Sequence, residues 1–145
     1  MPYSDLMTAP MRRELTEAGL RELRTPADVD SFMAEGKDGT ALVAVNSICG
    51  CSAGCMRPAL VRALAHEIRP ALLATVFAGL DVEATERARS YIRGHAPSSP
   101  SMALFKDGEL VFMLERHHIQ GRHPRMIADD VIAAFDRHCG AAAGT

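Results

Sequence analysis

The chain has 145 residues, 48% of them hydrophobic and 23% charged, with a formal charge of −2. That length suits a single domain, 1–145, around one core, and the interspersed charges exclude a broad basic grip on nucleic acid. No apolar run approaches the roughly 18 residues that cross a bilayer, and the absence of Trp with only 5% aromatics leaves no stacking platform for bases or sugars.

The N-terminus lacks the basic start and apolar stretch of a secretory signal, so a cytoplasmic location is expected, with no membrane partner. From Asp5 to Leu23, apolar residues at Leu6, Met7, Met11, Leu15 and Leu20 follow a helical spacing, with Gly19 as a stop. Thr25-Pro26-Ala27-Asp28 has the cap, first-turn proline and acidic residue of a second helix start. Val29, Phe32 and Met33 face inward from that helix, and a turn over Gly36 to Gly39 follows. Ala41-Leu42-Val43-Ala44-Val45, ending at Asn46, is a continuous apolar run that suits a strand covered on both faces.

Ser47 to Gly54 is a loop rich in Gly, Ser and Cys, followed by a helix over 55–68 and a second buried strand over 72–78. A helix over 82–92 carries Glu83 and Arg87 at the spacing of a surface pair. Ala96 to Ser101 is too rich in proline for regular structure. Two strands, 102–105 and 109–114, flank Asp107-Gly108, a hairpin signal. His117 and His118 fall at a solvated strand end, and the last helix, 125–138, turns Met126, Ile127, Val131, Ile132 and Phe135 inward.

In a reducing compartment, four cysteines point to redox or metal chemistry rather than to structural bridges. Cys49-Gly50-Cys51 lies where a strand gives way to a helix, and amides at a helix N-terminus stabilise a thiolate. Cys49 is the expected nucleophile. Cys51, two residues on, can attack a mixed disulfide formed there, and Gly50 supplies the backbone freedom for so short a loop to fold in. The alternative is a metal-binding module, zinc or iron–sulfur, using Cys49, Cys51 and Cys55 with Cys139 or a histidine. Taken singly, Cys55 reads as helix core and Cys139 as incidental.

The element order, with a proline-bearing loop before the third core strand, resembles the thioredoxin fold. The runs Pro10-Met11-Arg12-Arg13-Glu14-Leu15, Val45-Asn46-Ser47-Ile48-Cys49-Gly50-Cys51, Ala96-Pro97-Ser98-Ser99-Pro100-Ser101-Met102-Ala103-Leu104 and Arg116-His117-His118-Ile119-Gln120-Gly121 resemble the bacilliredoxin family more specifically. The resemblance implies an α/β, thioredoxin-like three-layer α/β/α sandwich with an N-terminal helical extension, and a cis bond before Pro100. It implies a thiol–disulfide oxidoreductase that removes bacillithiol, or a similar low-molecular-weight thiol, from mixed disulfides on cytoplasmic proteins, with weak disulfide isomerase activity. The small thiol is then a co-substrate, and no bound cofactor or metal is expected. The expected substrate contacts are Pro100, Ser99, Asn46 and Arg57. Cys55 departs from what the family would carry at that place.

Overall fold

The computed structural model describes residues 3–140. Its helices are α1 (Asp5–Thr16), α2 (Pro26–Glu35), α3 (Arg57–Ala63), α4 (Val82–Tyr91), α5 (Arg116–Ile119) and α6 (Pro124–His138). Its strands are β1 (Arg21–Glu22), β2 (Thr40–Asn46), β3 (Leu72–Phe77), β4 (Ser101–Lys106) and β5 (Glu109–Leu114). All five strands join one sheet in the order β1-β3-β2-β4-β5. β1 and β2 run parallel to β3, whereas β4 is antiparallel to β2 and β5 to β4.

The apolar run 41–45 becomes the centre of this sheet because both its faces are covered. Every residue of β2 is buried. Leu42 and Ala44 pack with Leu15, Leu60, Ile127, Val131 and Phe135 on the α1, α3 and α6 side. Ala41, Val43 and Val45 alternate to the opposite face, against Val29, Phe32, Ala84 and Ala88 of α2 and α4. Phe32, Phe105 and Phe135 are fully buried, and each contributes about 1.5–3 kcal/mol of burial free energy. The three layers are therefore helices, sheet, helices, as expected.

Capping follows the residues singled out in the sequence. The Thr25 side chain accepts from Asp28 N–H, and Asp28 accepts in return from Thr25 N–H. Asp107 and Gly108 both adopt positive φ, 53° and 82°, the geometry of a tight primed hairpin turn.

Several local expectations fail for identifiable reasons. α1 stops at Thr16, just short of the expected stop at Gly19, and beyond that glycine Arg21–Glu22 forms a short edge strand that the sequence did not suggest. Gly19 makes this possible by taking φ 104°. Leu6 and Met7 face solvent, while Thr8 and Leu15 turn inward. Met126 is 53% exposed, on the outer side of α6. Arg87 pairs across helices with Asp30 at 2.7 Å rather than with Glu83. His117 and His118 lie in the first turn of α5 rather than at a strand end. The helix expected over 55–68 begins earlier, at 50, and ends at Ala63. Its stretch Ser52–Met56 is π-helical, a form concentrated at functional sites.

Candidate functional site

Strand β2 delivers its last residue, Asn46, to the buried underside of the cysteine loop. The Asn46 side chain is fully engaged. Its Oδ1 accepts from Ser47 N–H at 2.9 Å, from the Ser52 hydroxyl at 2.7 Å and from an Arg57 guanidinium nitrogen at 3.0 Å. Its amide nitrogen donates to the Met11 carbonyl at 3.2 Å and so ties the loop to α1. Arg57 is 2% exposed. The same guanidinium nitrogen reaches the Ser47 carbonyl at 2.9 Å. Its Nε lies 2.9 Å from a Glu14 carboxylate oxygen, as an ion pair without the alignment of a hydrogen bond. Asn46 and Arg57, expected as substrate contacts, are both buried beneath the loop, and Arg57 is not a surface charge. They form the buried frame on which the loop rests, because a guanidinium can satisfy several loop acceptors at once.

Above that frame sit the cysteines, Cys49 and Cys51, both free thiols and both partly exposed. The Cys49 carbonyl accepts from Ser52 and Ala53 N–H at 3.0 and 3.2 Å, so Cys49 stands at the start of the helical run. The Ser47 hydroxyl donates to Cys49 Sγ at 3.3 Å. Partial burial pushes the Cys49 thiol up, but the Ser47 hydroxyl, the N–H groups of Ser52 and Cys51, and the Arg116 charge outweigh it and hold the thiol below its ordinary value. Cys51 moves the other way. Burial and the neighbouring Cys49 charge raise it, with Arg116 opposing. One sulfur is thus prepared to ionise while its neighbour keeps a proton.

The peptide bond Ser99–Pro100 is cis. Pro100 itself is buried, and Ser99 rather than Pro100 lines the cleft beside Cys49. That cleft encloses about 280 Å³ between Ser47, Ile48 and Cys49 on one side and Tyr3, Gly79, Ser99 and Arg116 on the other. Gly79 has φ 87°, and a Cβ there would lie 2.6 Å from the Tyr3 ring, so only glycine lets Tyr3 close this wall. Arg116 was not singled out as a contact from sequence. The signal available was its place in the Arg116-to-Gly121 run, but nothing in the spacing says that α5 returns to the cysteine loop.

A larger cavity of about 430 Å³ lies between β5 and α6, lined by Val111, Phe112, Ala133 and Arg137 among others. No cysteine lines it, so it is remote from the thiol chemistry. Cys55 is partly buried in the π-helical stretch and packs on the α3 and α6 core. Cys139 packs there too, and burial raises its thiol, which makes it a poor nucleophile.

The cysteines of the metal-module alternative are not gathered into one ligand cluster among the described residues. Among the described residues, the one trio of potential ligands lying within 4.8 Å of one another is Glu115, His117 and His118, not the cysteines. In that trio, His118 Nδ1 already accepts the Glu115 N–H at 3.0 Å, and Glu115 faces His95 at 3.2 Å. Among the described residues, no helix is long and apolar enough to cross a membrane.

With the geometry in hand, the chain was compared with known proteins. A thioredoxin of Malassezia sympodialis superposes with a TM-score of 0.57 at 12% identity, covering 83% of this chain and 91% of that one. The oxidised thioredoxin of Plasmodium falciparum superposes with a TM-score of 0.55 at 15% identity, covering 81% and 98%. These likenesses establish the thioredoxin-like fold. A bacilliredoxin of Salinibacter ruber is 50% identical, over 97% of this chain and 83% of that protein. A bacilliredoxin of Halalkalibacterium halodurans is 49% identical, over 96% of this chain and 98% of that protein. The family profile described as "Disulphide isomerase" matches residues 3–139. On matches of that extent and identity, the chain belongs to the bacilliredoxin family.

Proposed function

We propose that this thiol–disulfide oxidoreductase removes bacillithiol, or another low-molecular-weight thiol, from mixed disulfides on cytoplasmic proteins. Cys49 at the start of the helical run, with the Ser47 hydroxyl donating to its Sγ and Cys51 two residues on, is the arrangement that carries the reading, and the opposite directions of the two thiols accord with it. Exchange requires a thiolate to attack and a second thiol to resolve, and the loop prepares one sulfur for each task.

The Cys49 thiolate attacks the small-thiol sulfur of the capped protein. The protein–small-thiol S–S bond breaks, a new bond forms between Cys49 and the small thiol, and the client cysteine leaves as a thiolate and takes up a proton. Cys51 then loses its proton and attacks Cys49. This releases the small thiol and leaves a Cys49–Cys51 disulfide for an external thiol to reduce. Electrons balance at each exchange, because one disulfide is consumed as another forms. Weak isomerase activity follows if the same thiolate attacks a protein disulfide, and Ser99 with the cis-Pro100 loop is positioned to line the groove that such a chain would enter.

The test is intact-mass analysis of both partners after mixing reduced protein with a bacillithiol-capped client. The client should lose the mass of one small thiol, and this chain should gain it transiently. A client that keeps its cap, or that becomes cross-linked to this chain in place of the small-thiol transfer, would overturn the reading.

A further inference from the structure

The cleft beside Cys49 contains a cation that the protein does not neutralise. Arg12, Arg24, Arg57 and Arg87 each pair with an Asp or Glu. Arg116 has no carboxylate within 4.0 Å among the described residues, and its neighbour Glu115 is turned to His95 instead. The Arg116 side chain is nonetheless held in place. Its backbone N–H donates to the Ser98 hydroxyl at 3.4 Å, and one guanidinium nitrogen donates to the Ser99 carbonyl at 3.3 Å. A second guanidinium nitrogen lies 4.0 Å from Cys51 Sγ. The guanidinium therefore bridges the mouth of the cleft between the cis-proline loop and the thiols. Most of its five N–H donors remain unspent.

The cleft lining gives a second, independent indication. Among the described residues, Arg116 is the single charged side chain lining it, and no Asp or Glu does so. The remainder is small or apolar: Ile48, Ala78, Gly79, Ser47, Ser99 and the Tyr3 ring. Its volume of about 280 Å³ lies at the small end of ligand sites. A compact anion fits these properties.

We infer that this cleft is a binding site for the small-thiol half of a mixed disulfide when that half carries a carboxylate, which Arg116 holds while the thiol sulfur faces Cys49. The inference rests on the reading of Cys49 as the attacking sulfur. It explains why exchange transfers the small thiol, rather than the client, to Cys49: the half seated in the cleft presents its sulfur to the nucleophile. The S–S bond of the mixed disulfide breaks, the Cys49–small-thiol bond forms, and the client departs as thiolate. The guanidinium forks naturally onto a carboxylate, which an ammonium group would not match.

Three symmetric disulfides with the same two-methylene spacer between sulfur and head group separate recognition from reactivity: dithiodipropionate (anionic), bis(2-hydroxyethyl) disulfide (neutral) and cystamine (cationic). The second-order rate of adduct formation on Cys49 is read by mass spectrometry in the native chain and in Arg116→Gln. The pH is kept near neutral, where cystamine stays cationic, and each rate is divided by the Cys49 thiolate fraction measured in that protein, so that loss of the Arg116 charge on the thiolate does not enter. Relative to the native chain, Arg116→Gln should react about tenfold more slowly with dithiodipropionate, as expected for one charge-assisted contact at a half-open site. Any slowing with the hydroxyethyl disulfide should be several-fold smaller than with dithiodipropionate, and cystamine should be slowed least of the three. Arg116→Lys should recover only part of the dithiodipropionate rate. Equal slowing on all three disulfides, or none on any, would overturn the carboxylate site while leaving Cys49 as nucleophile. Absence of any Cys49 adduct in the native chain would instead overturn the reading beneath it.

Discussion

Ser47 shows how one side chain sets the reactivity of another. Its hydroxyl donates to Cys49 Sγ and is the largest of the contributions that lower that thiol. Ser47→Ala should therefore raise the Cys49 thiol toward its ordinary value and cut its alkylation rate near neutral pH by roughly three- to tenfold, because a hydrogen bond to an ion is among the stronger ones. Thiolate absorbance against pH should show the step moved upward; an unmoved step would mean that the helix-start amides suffice alone. Asn46→Leu removes an acceptor shared by Ser47 N–H, Ser52 and Arg57, all in a buried setting. It should destabilise the fold by about 2–4 kcal/mol, read as a lower denaturant midpoint. A change below about 0.5 kcal/mol, the ordinary range of surface substitutions, would contradict the hub assignment. The place of Cys49 and Cys51 at a strand-to-helix junction was legible from residue type and position alone. The burial of Arg57 and the place of Arg116 at the cleft were not: proximity in sequence favours Arg57, whereas burial and the return of α5 are tertiary facts.

At the level of elements, apolar runs of five to seven residues and cap chemistry were readable because they reflect local steric and hydrogen-bonding rules. β1 was not readable. Two residues carry no alternation, and Arg21–Glu22 is a strand only because β3 offers it an edge. The π-helical stretch was equally hidden, since nothing in Ser52-Ala53-Gly54-Cys55-Met56 separates it from an ordinary helix start. The β3–α4 connection makes a sharper prediction. Gly79→Ala forces a side chain into a left-handed position and into the Tyr3 ring, which should cost about 1–3 kcal/mol. It should also alter the Tyr3 signal, observable against Tyr91 alone because the chain has no Trp. Unchanged stability would show that Tyr3 does not close the cleft wall as described.

For the whole molecule, the α/β/α layering follows from the alternation of apolar runs with amphipathic helices. The strand order does not, because crossovers leave no local signature. Tertiary ion pairs make the fold acid-sensitive. Asp5 is lowered chiefly by a hydrogen bond from Arg24, Asp28 by the Arg24 backbone N–H, and Asp30 by Arg87 and Tyr91. Each is held below its ordinary 3.8, so its contribution is fully present above that value and drains away as pH falls through the lowered folded values. The urea midpoint should hold steady from neutral pH down to about 5 and fall below about 4, less steeply in high salt because these groups are exposed. A midpoint indifferent to acid would remove these pairs from the account.

The proposed cycle divides attack from resolution between Cys49 and Cys51. It is tested most directly by intact-mass analysis of Cys49→Ser, Cys51→Ser, Cys55→Ser and the Cys51, Cys55 double variant after exposure to a thiol-capped client. Cys49→Ser should form no adduct and leave the client capped. Cys51→Ser should attack normally and then accumulate the small-thiol adduct on Cys49, unless Cys55, one helical turn beyond, resolves it; in that case the adduct builds up only in the double variant. Client release by Cys49→Ser at the native rate would contradict the account at its root.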